Sequence, residues 1–263
     1  MTKLGEIVDF FKETVPDAMK MDFDNVGFLV GESTNTVERV LLALDITDEV
    51  VEEAIQQKAQ LVVSHHPVFF DLKSVTDCTP QGRKVVHLLA HGIGAICLHT
   101  SLDCVDGGVN DALLRALGIE RHGILEPEQT LPDGRRYGCG RWGELKCAEH
   151  MKDFLPRVKA SLASNGLRYH DAGREVKRVA VCGGSGGSMI SDALRHGCDT
   201  LVTADIKYDQ FLTAKECGLN LIDADHFCTE NVVLPVLTEM LHSRFPEIEL
   251  QISRCHRQCA QFM

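Results

Sequence analysis

The sequence predicts an α/β protein built from two similar α/β lobes with mainly parallel or mixed sheets. Strand-length apolar runs alternate with helical patterns through the first 120 residues, and the alternation returns in the second half. A chain of 263 residues is long enough for each lobe to bury a core. The irregular stretch 119–137 contains Pro127, Pro132 and Gly134 and is the candidate linker. The lobes are therefore predicted at 1–127 and 128–263.

Helical spacing of apolar residues from Leu4 to Val15 predicts the first helix, which Pro16 ends. Thr47 is a predicted N-cap for a helix that begins at Asp48. Continuous apolar runs predict buried strands. In the first lobe we predict helices at 3–15, 48–55, 83–90 and 110–117, and strands at 37–44, 61–64 and 94–98.

In the second lobe, Trp142 lies in a predicted strand. We predict helices at 148–164, 209–216 and 228–243, one more that ends at His196, and strands at 176–182, 200–203, 219–223 and 249–253. The glycine-rich stretch 183–187 lies between a strand and a helix, where backbone amides can cradle a phosphate. It lacks both the Walker and the dinucleotide pattern, which slightly favours the other interpretation, a tight turn that requires glycine.

The formal net charge of -11 argues against a nucleic-acid or anionic-membrane surface, because both need basic patches. No secretory leader and no membrane-length apolar run is visible in the sequence, so we expect a cytoplasmic protein. The 11 cysteines are odd in number and scattered, which favours reduced thiols. Cys255 and Cys259 form a C-x3-C pair beside one histidine, and this is only a weak zinc motif.

Polar clusters rich in histidine and carboxylate follow three predicted strands at their C-terminal ends, where open α/β sheets place ligand sites. They are His65-His66, His99 with Asp103, and His226 with Glu230. If a helix begins near His226, the spacing of four places His226 and Glu230 on one face. Four imidazoles and two carboxylates suit zinc, iron, manganese or nickel better than calcium or magnesium.

Each cluster taken alone has a structural interpretation. His65-His66 is an ordinary strand end on that interpretation, Asp103 is a helix cap or turn residue, and His226 forms a surface pair with Glu230. The metal-site hypothesis gains its weight from three complementary clusters at equivalent positions.

The motifs resemble those of the NIF-three-like dinuclear metal-centre family, whose members are often called GTP cyclohydrolase I type 2 homologues. The resemblance covers nearly the whole chain in the family's motif order. The matching segments are Asp24-Asn25-Val26-Gly27, Ser64-His65-His66-Pro67, His99-Thr100-x-Leu102-Asp103, Gly107-Gly108-x-Asn110-Asp111, Gly183-Gly184-Ser185-Gly186, Asp205-x-Lys207-Tyr208 and Asp223-Ala224-x-His226-Phe227-x-Thr229-Glu230.

The resemblance implies a dinuclear metal site between the lobes, with two divalent metal ions per subunit and with Fe, Zn, Mn and Ni undistinguished. The ligands it carries over are His65, His66, Asp103, His226 and Glu230. His99 matches a family histidine near the metals and is the candidate catalytic proton carrier. The implied assembly is a toroidal homohexamer, a trimer of dimers, of the short form that lacks an inserted domain.

The implied activity is a metal-dependent hydrolase of the GTP cyclohydrolase type, acting on a nucleotide or similar small molecule through a metal-bridging hydroxide. The alternative is a non-catalytic, metal-binding ring that serves as a regulatory protein or scaffold. Asp225 departs from the family pattern, which often has glycine there, and we expect it to orient His226 or to alter metal preference. Lys207 is expected either to bind an anionic substrate or to pair with Asp205.

Overall fold

The computed structural model describes residues 1–261 and 263, and the chain divides into two compact units. Unit 1 comprises Met1–Leu102 and Leu234–Arg257, and unit 2 comprises Asp103–Val233 and Gln258–Met263. The predicted lobes, 1–127 and 128–263, stay a prediction. Residues 103–127 belong here to the second unit, and the segment 234–257 returns to the first.

Ten α-helices and thirteen strands are present among the described residues. The helices are α1 (Leu4–Thr14), α2 (Asp48–Gln56), α3 (Pro80–Ala90), α4 (His99–Cys104), α5 (Val109–Ala116), α6 (Met151–Ser161), α7 (Ile190–Arg195), α8 (Tyr208–Cys217), α9 (His226–Glu230) and α10 (Leu234–Arg244). The strands are β1 (Gly27–Val30), β2 (Arg39–Ala43), β3 (Leu61–Ser64), β4 (Gly94–Cys97), β5 (Glu120–Ile124), β6 (Gln129–Thr130), β7 (Arg136–Tyr137), β8 (Arg141–Glu149), β9 (Arg168–His170), β10 (Val176–Ser185), β11 (Thr200–Ala204), β12 (Asn220–Asp223) and β13 (Glu249–Ile252).

Unit 1 contains a five-stranded sheet in the order β1-β4-β3-β2-β13. Strands β4, β3, β2 and β13 pair in parallel, and β1 pairs antiparallel at the edge. All four residues of β3 and of β4 are buried, which explains why both strands are continuous apolar runs. Thr47 accepts a hydrogen bond from the amide of Val50 and so caps α2 as predicted.

Unit 2 contains a six-stranded mixed sheet in the order β5-β8-β10-β11-β12-β9. Its central strands β10, β11 and β12 are parallel, and β8, β5 and β9 pair antiparallel. The core includes Phe154, Val158, Val179 and Val202, each fully buried. The predicted α/β class with parallel and mixed sheets is therefore confirmed.

Two predictions from the sequence were wrong in detail. The stretch 119–137 is not irregular but contains β5, β6 and β7. Most residues of β5 are exposed, so the apolar alternation that signals a strand is absent there. The predicted helix 228–243 is two helices, α9 and α10, separated by a 3-10 turn at Asn231–Val233. Pro235 lies in the first turn of α10, where the missing amide proton is tolerated.

All eleven cysteines are free thiols. Among the described residues, no helix is long and apolar enough to cross a membrane.

Candidate metal centre

Three histidines of unit 1 form a histidine cluster (His65, His66 and His99) at the C-terminal ends of β3 and β4. Each offers a ring nitrogen, and these nitrogens all lie within 4.8 Å of one another. The three ring centroids are 4.9 to 5.4 Å apart. His65 is fully buried. Three imidazoles packed this closely are a donor set suited to a transition metal.

The parallel sheet explains why residues so distant in sequence meet. Ser64 and Cys97 are register partners, so β3 and β4 end side by side. Beyond the strand end, the amide of His66 donates to the carbonyl of Leu44, and the amide of His99 donates to the carbonyl of His65 at 2.8 Å. The backbone therefore continues to be paired while the side chains turn towards one another.

Buried or half-buried carboxylates hold two of these rings through Nδ1. His66 Nδ1 lies 2.8 Å from Asp45 Oδ1, and His99 Nδ1 lies 2.7 Å from Asp24 Oδ1. Burial alone would raise the pKa of Asp24, but hydrogen bonds from His99 and Thr100 outweigh it and lower that pKa to about 2. Asp24 therefore stays ionised and holds the His99 ring through Nδ1. Nε2 is the ring nitrogen of His99 that Asp24 does not contact.

Unit 2 contains an imidazole that is held in the same way. His226 Nδ1 lies 2.7 Å from Asp205 Oδ2, and its Nε2 lies 3.2 Å from Oε2 of Glu230, one turn along α9. Burial disfavours the imidazolium, but the hydrogen bonds and charges of Glu230 and Asp205 raise the pKa of His226 to about 9. A metal ion that binds Nε2 must displace the proton that the raised pKa of His226 favours.

Asp103 lies on α4 and is 7% exposed. One of its carboxylate oxygens lies within 4.8 Å of an oxygen of Glu230. Asn110 fixes the backbone there by donating to the carbonyl of Asp103 at 2.9 Å. Two carboxylates this close repel each other unless a proton or a cation lies between them.

The glycine-rich stretch packs against Glu230. A Cβ at Gly184 would lie 2.2 Å from Oε1 of Glu230, and the φ of Gly184 is +64°. The amides of Gly183 and Gly184 already donate to Asn110 and Thr229. These contacts favour the tight-turn interpretation over a phosphate cradle.

The two roles left open for Asp225, orienting His226 and altering metal preference, stay predictions. Its carboxylate accepts from the amide of Cys228, which caps α9, and from Gln258. The residue has a φ of +78°, where glycine is normally favoured. Asp205, which the sequence suggested as a partner of Lys207, supplies the carboxylate for His226 instead.

Sequence reasoning did not recognise the carboxylates of Asp24, Asp45 and Asp205 as partners of the histidines. A signal was available, because Asp45 and Asp205 each follow a strand and Asp24 lies in a turn that resembles a family motif. Their common geometry, a carboxylate at Nδ1 of the imidazole, is the usual outer shell of a metal-binding histidine. The residues present in both units thus have the chemistry that divalent transition metals require.

Over residues 2–259, the sequence matches the profile of the Duf34/NIF3 (NGG1p interacting factor 3) family. Two relatives are called GTP cyclohydrolase 1 type 2 homolog. The one from Clostridium perfringens is 34% identical over 255 residues and covers 96% of each chain. The one from Streptomyces coelicolor is 35% identical over 235 residues, 88% of this chain and 82% of the relative.

Solved structures share the fold. A hypothetical protein from Staphylococcus aureus superposes with a TM-score of 0.90 at 27% identity over 99% of both chains. A Bacillus cereus protein described as related to NIF3 has the same TM-score, 0.90, at 24% identity, with 100% of this chain and 99% of that chain covered.

Proposed function

Because the chain belongs to the Duf34/NIF3 (NGG1p interacting factor 3) family, we propose that it is a metal-dependent hydrolase acting on a nucleotide or similar small molecule. The observation that carries the proposal is the repeated pairing of a strand-end imidazole with a carboxylate at Nδ1, at His66, His99 and His226. The name of the relatives, GTP cyclohydrolase 1 type 2 homolog, supports GTP as the first substrate to test.

We further propose that His65, His66, Asp103, His226 and Glu230 hold two divalent metal ions. The spacing along the chain supports a shared site, because His99 and Asp103 are one turn apart on α4. Two such ions, when bound, activate water and stabilise negative charge on the substrate. The ligand set fits iron, zinc, manganese and nickel alike.

The role of His99 in this proposal is to move a proton. Asp24 occupies its Nδ1, so Nε2 is the atom that accepts a proton from water or delivers one to the leaving group. His99 is 14% exposed at its side chain, which leaves a route for exchange with solvent. The ring of Phe70 lies edge-on to that of His99, with the two ring centroids 5.6 Å apart.

The test begins with metal content. The purified chain is expected to contain Fe, Zn, Mn or Ni by mass spectrometry of the elements, and His65→Ala and Glu230→Ala are expected to lose it. His87→Ala, an exposed histidine on α3, is the matched control and is expected to retain the metal. Wild-type protein that takes up none of these metals would refute the proposal.

Activity is then measured on GTP with the metal-loaded chain. Hydrolysis that disappears in His65→Ala and Glu230→Ala but persists in His87→Ala supports the enzyme. Metal binding by the wild type without turnover of GTP or related nucleotides contradicts the hydrolase and supports the non-catalytic ring.

We also propose that the protein is cytoplasmic and assembles as a homohexamer, a trimer of dimers, as the family resemblance implies. Light scattering on the eluting protein is expected to give six times the mass of one chain. A monomer or dimer at micromolar concentration would contradict this assembly without affecting the metal proposal.

A further inference from the structure

Three buried cysteines of unit 2 form a thiol cluster (Cys104, Cys139 and Cys182). Each is 3 to 4% exposed. The Sγ atoms of Cys139 and Cys182 are 3.9 Å apart. Cys104 also interacts with Cys139, so Cys139 lies at the centre of the cluster. The proposed hydrolase does not use any of these thiols.

The surroundings of Cys139 stabilise a thiolate. Nδ2 of Asn110 lies 4.0 Å from its sulfur, and the fully buried guanidinium of Arg141 is two residues away. The interactions of Cys139 with Cys104 and Cys182 hold its pKa well below the ordinary value of 9.0. The hydrogen bond with Cys139, and then burial, raise the pKa of Cys182 well above the ordinary value of 9.0, so this thiol keeps its proton at neutral pH. Two sulfur atoms 3.9 Å apart, one of them with a lowered pKa, are placed to form a disulfide.

The thiol cluster is joined through the backbone to two proposed metal ligands. Cys104 directly follows Asp103 in the chain. Cys182 directly precedes Gly183 and Gly184, which pack against Glu230. Asn110 connects both sides, since it donates to the carbonyl of Asp103 and accepts from the amide of Gly183. We therefore expect a displacement of Cys182 to be transmitted to Asp103 and Glu230, the two proposed carboxylate ligands.

We propose that Cys139 and Cys182 are a redox-active pair that a hydroperoxide oxidises to a disulfide, and that this oxidation weakens metal binding at Asp103 and Glu230. The gap between the two sulfurs must close by roughly 2 Å to reach the S–S bond length. That movement displaces Gly183 and Gly184, which pack against Glu230. There is no space for an added atom between Gly184 and Glu230, so the carboxylate of Glu230 is displaced as well.

The chemistry balances with hydrogen peroxide as oxidant. The Cys139 thiolate attacks one peroxide oxygen, the O–O bond breaks, and the departing hydroxide is protonated to water. The Cys182 sulfur then attacks the sulfenic sulfur, the S–S bond forms, and the S–O bond breaks. The second hydroxide takes the proton of Cys182, so two thiols lose two electrons and one peroxide becomes two waters.

Peptide mapping of the full chain tests the pair. The reduced protein is exposed to hydrogen peroxide, its remaining thiols are alkylated, and it is digested with trypsin without reductant. Cleavage after Arg136, Arg141, Arg178 and Arg195 places Cys139 on peptide 137–141 and Cys182 on peptide 179–195. We expect these peptides cross-linked to each other, and the cross-link lost after reduction.

Two results would overturn the pair. One is a reduced Cys139 in protein whose exposed cysteines, such as Cys78 and Cys147, are already oxidised. The other is a cross-link from Cys139 to Cys104 instead of Cys182. Cys139→Ala and Cys182→Ala are expected to abolish the cross-link, whereas Cys198→Ala, which removes a buried thiol outside the cluster, leaves it intact. The wild-type map decides the question even if a cluster variant does not fold.

The effect on metal is measured separately, and this arm alone depends on the proposed function. Competition with a chromogenic chelator is expected to give a Kd on the order of tenfold weaker for the oxidised chain, and recovery after a phosphine reductant. A cross-linked chain with unchanged metal affinity would refute the coupling while leaving the redox pair. A chain that binds no metal in either state refutes the metal proposal instead.

Discussion

Asp205 and His226 form an ion pair across 21 residues of sequence, with Oδ2 of Asp205 2.7 Å from Nδ1 of His226. Asp205 adopts a left-handed φ of +54° at the end of β11. A non-glycine residue in that region carries a conformational cost, which is typical of positions that orient a functional side chain. The pair thus repeats, in unit 2, the geometry of Asp24 with His99 in unit 1.

Asp205→Ala is expected to weaken metal binding. Removing the carboxylate frees the His226 ring to rotate and lowers the basicity of its Nε2, and such partners are worth about 10- to 100-fold in affinity. Asp205→Asn keeps a hydrogen-bond acceptor and should lose less. Chelator competition gives the Kd of each variant. Asp209→Ala, an exposed carboxylate on α8, is the control, and an equal loss in it would remove the assigned role.

Gly184→Ala is expected to lose both stability and metal. The added Cβ would lie 2.2 Å from Oε1 of Glu230. Overpacking of this kind costs about 1–3 kcal/mol, and the left-handed φ costs about 1 kcal/mol more. Urea unfolding gives the free energy and chelator competition the Kd.

Gly218→Ala separates the cost of the left-handed backbone from the cost of the contact with Glu230. Gly218 has the same φ of +64°, but a Cβ there meets nothing within 4 Å. It should therefore show only the cost of the backbone conformation and full metal affinity. Equal destabilisation of the two variants would show that contact with Glu230 does not matter.

Substitutions at Asp225 are expected to show opposing effects of the cap and the backbone. Asp225→Ala removes the N-cap of α9, worth about 1 kcal/mol, and keeps the unfavourable φ of +78°. Asp225→Gly also removes the cap but relieves the backbone cost of about 1 kcal/mol. Thermal unfolding should therefore rank the wild type near the glycine variant and clearly above the alanine variant. A glycine variant as unstable as the alanine variant would contradict this account.

Glu53 is expected to make the stability of the protein depend on pH. This buried carboxylate accepts hydrogen bonds from Ser253 and from the amides of Arg254 and Cys255. Burial alone would raise the pKa of Glu53, but these hydrogen bonds outweigh it and hold that pKa below the ordinary 4.5. Its stabilisation is therefore full above pH 4.5 and is lost as the pH falls through the lowered pKa.

Glu53→Gln tests this dependence by urea unfolding from pH 7 to pH 3.5. We expect a loss of about 1.5–3 kcal/mol at pH 7, because hydrogen bonds to a charged group are weakened. The difference from the wild type should shrink below pH 4.5. Glu52→Gln, an exposed neighbour on α2, should differ little at any pH. A constant difference for Glu53→Gln across the range would rule out the carboxylate as its source.

The sequence predicts much of the fold because its central strands are buried on both faces. Strand β3 was predicted with its observed bounds, and β2, β11 and β12 within two residues at either end. The exposed strand β5 has no apolar pattern, and the break between α9 and α10 depends on Pro235 and on packing. The candidate ligands could be named from residue type and strand-end position. Position along the chain also indicated Asp24, Asp45 and Asp205, but tertiary geometry decides which carboxylate pairs with which imidazole, and the sequence does not show that.

The pairing of β13 with β2 has a consequence for biosynthesis. These strands align Glu249 with Arg39 in a parallel ladder, so β2 acquires this neighbour only after the segment between the two strands has been synthesised. Ribosomes add residues at about 5–20 per second, so β2 waits on the order of ten seconds or more with one edge unpaired. An open edge of a buried strand is a template for pairing with other chains. Until residues 249–252 emerge, the nascent first unit therefore presents an unpaired strand edge.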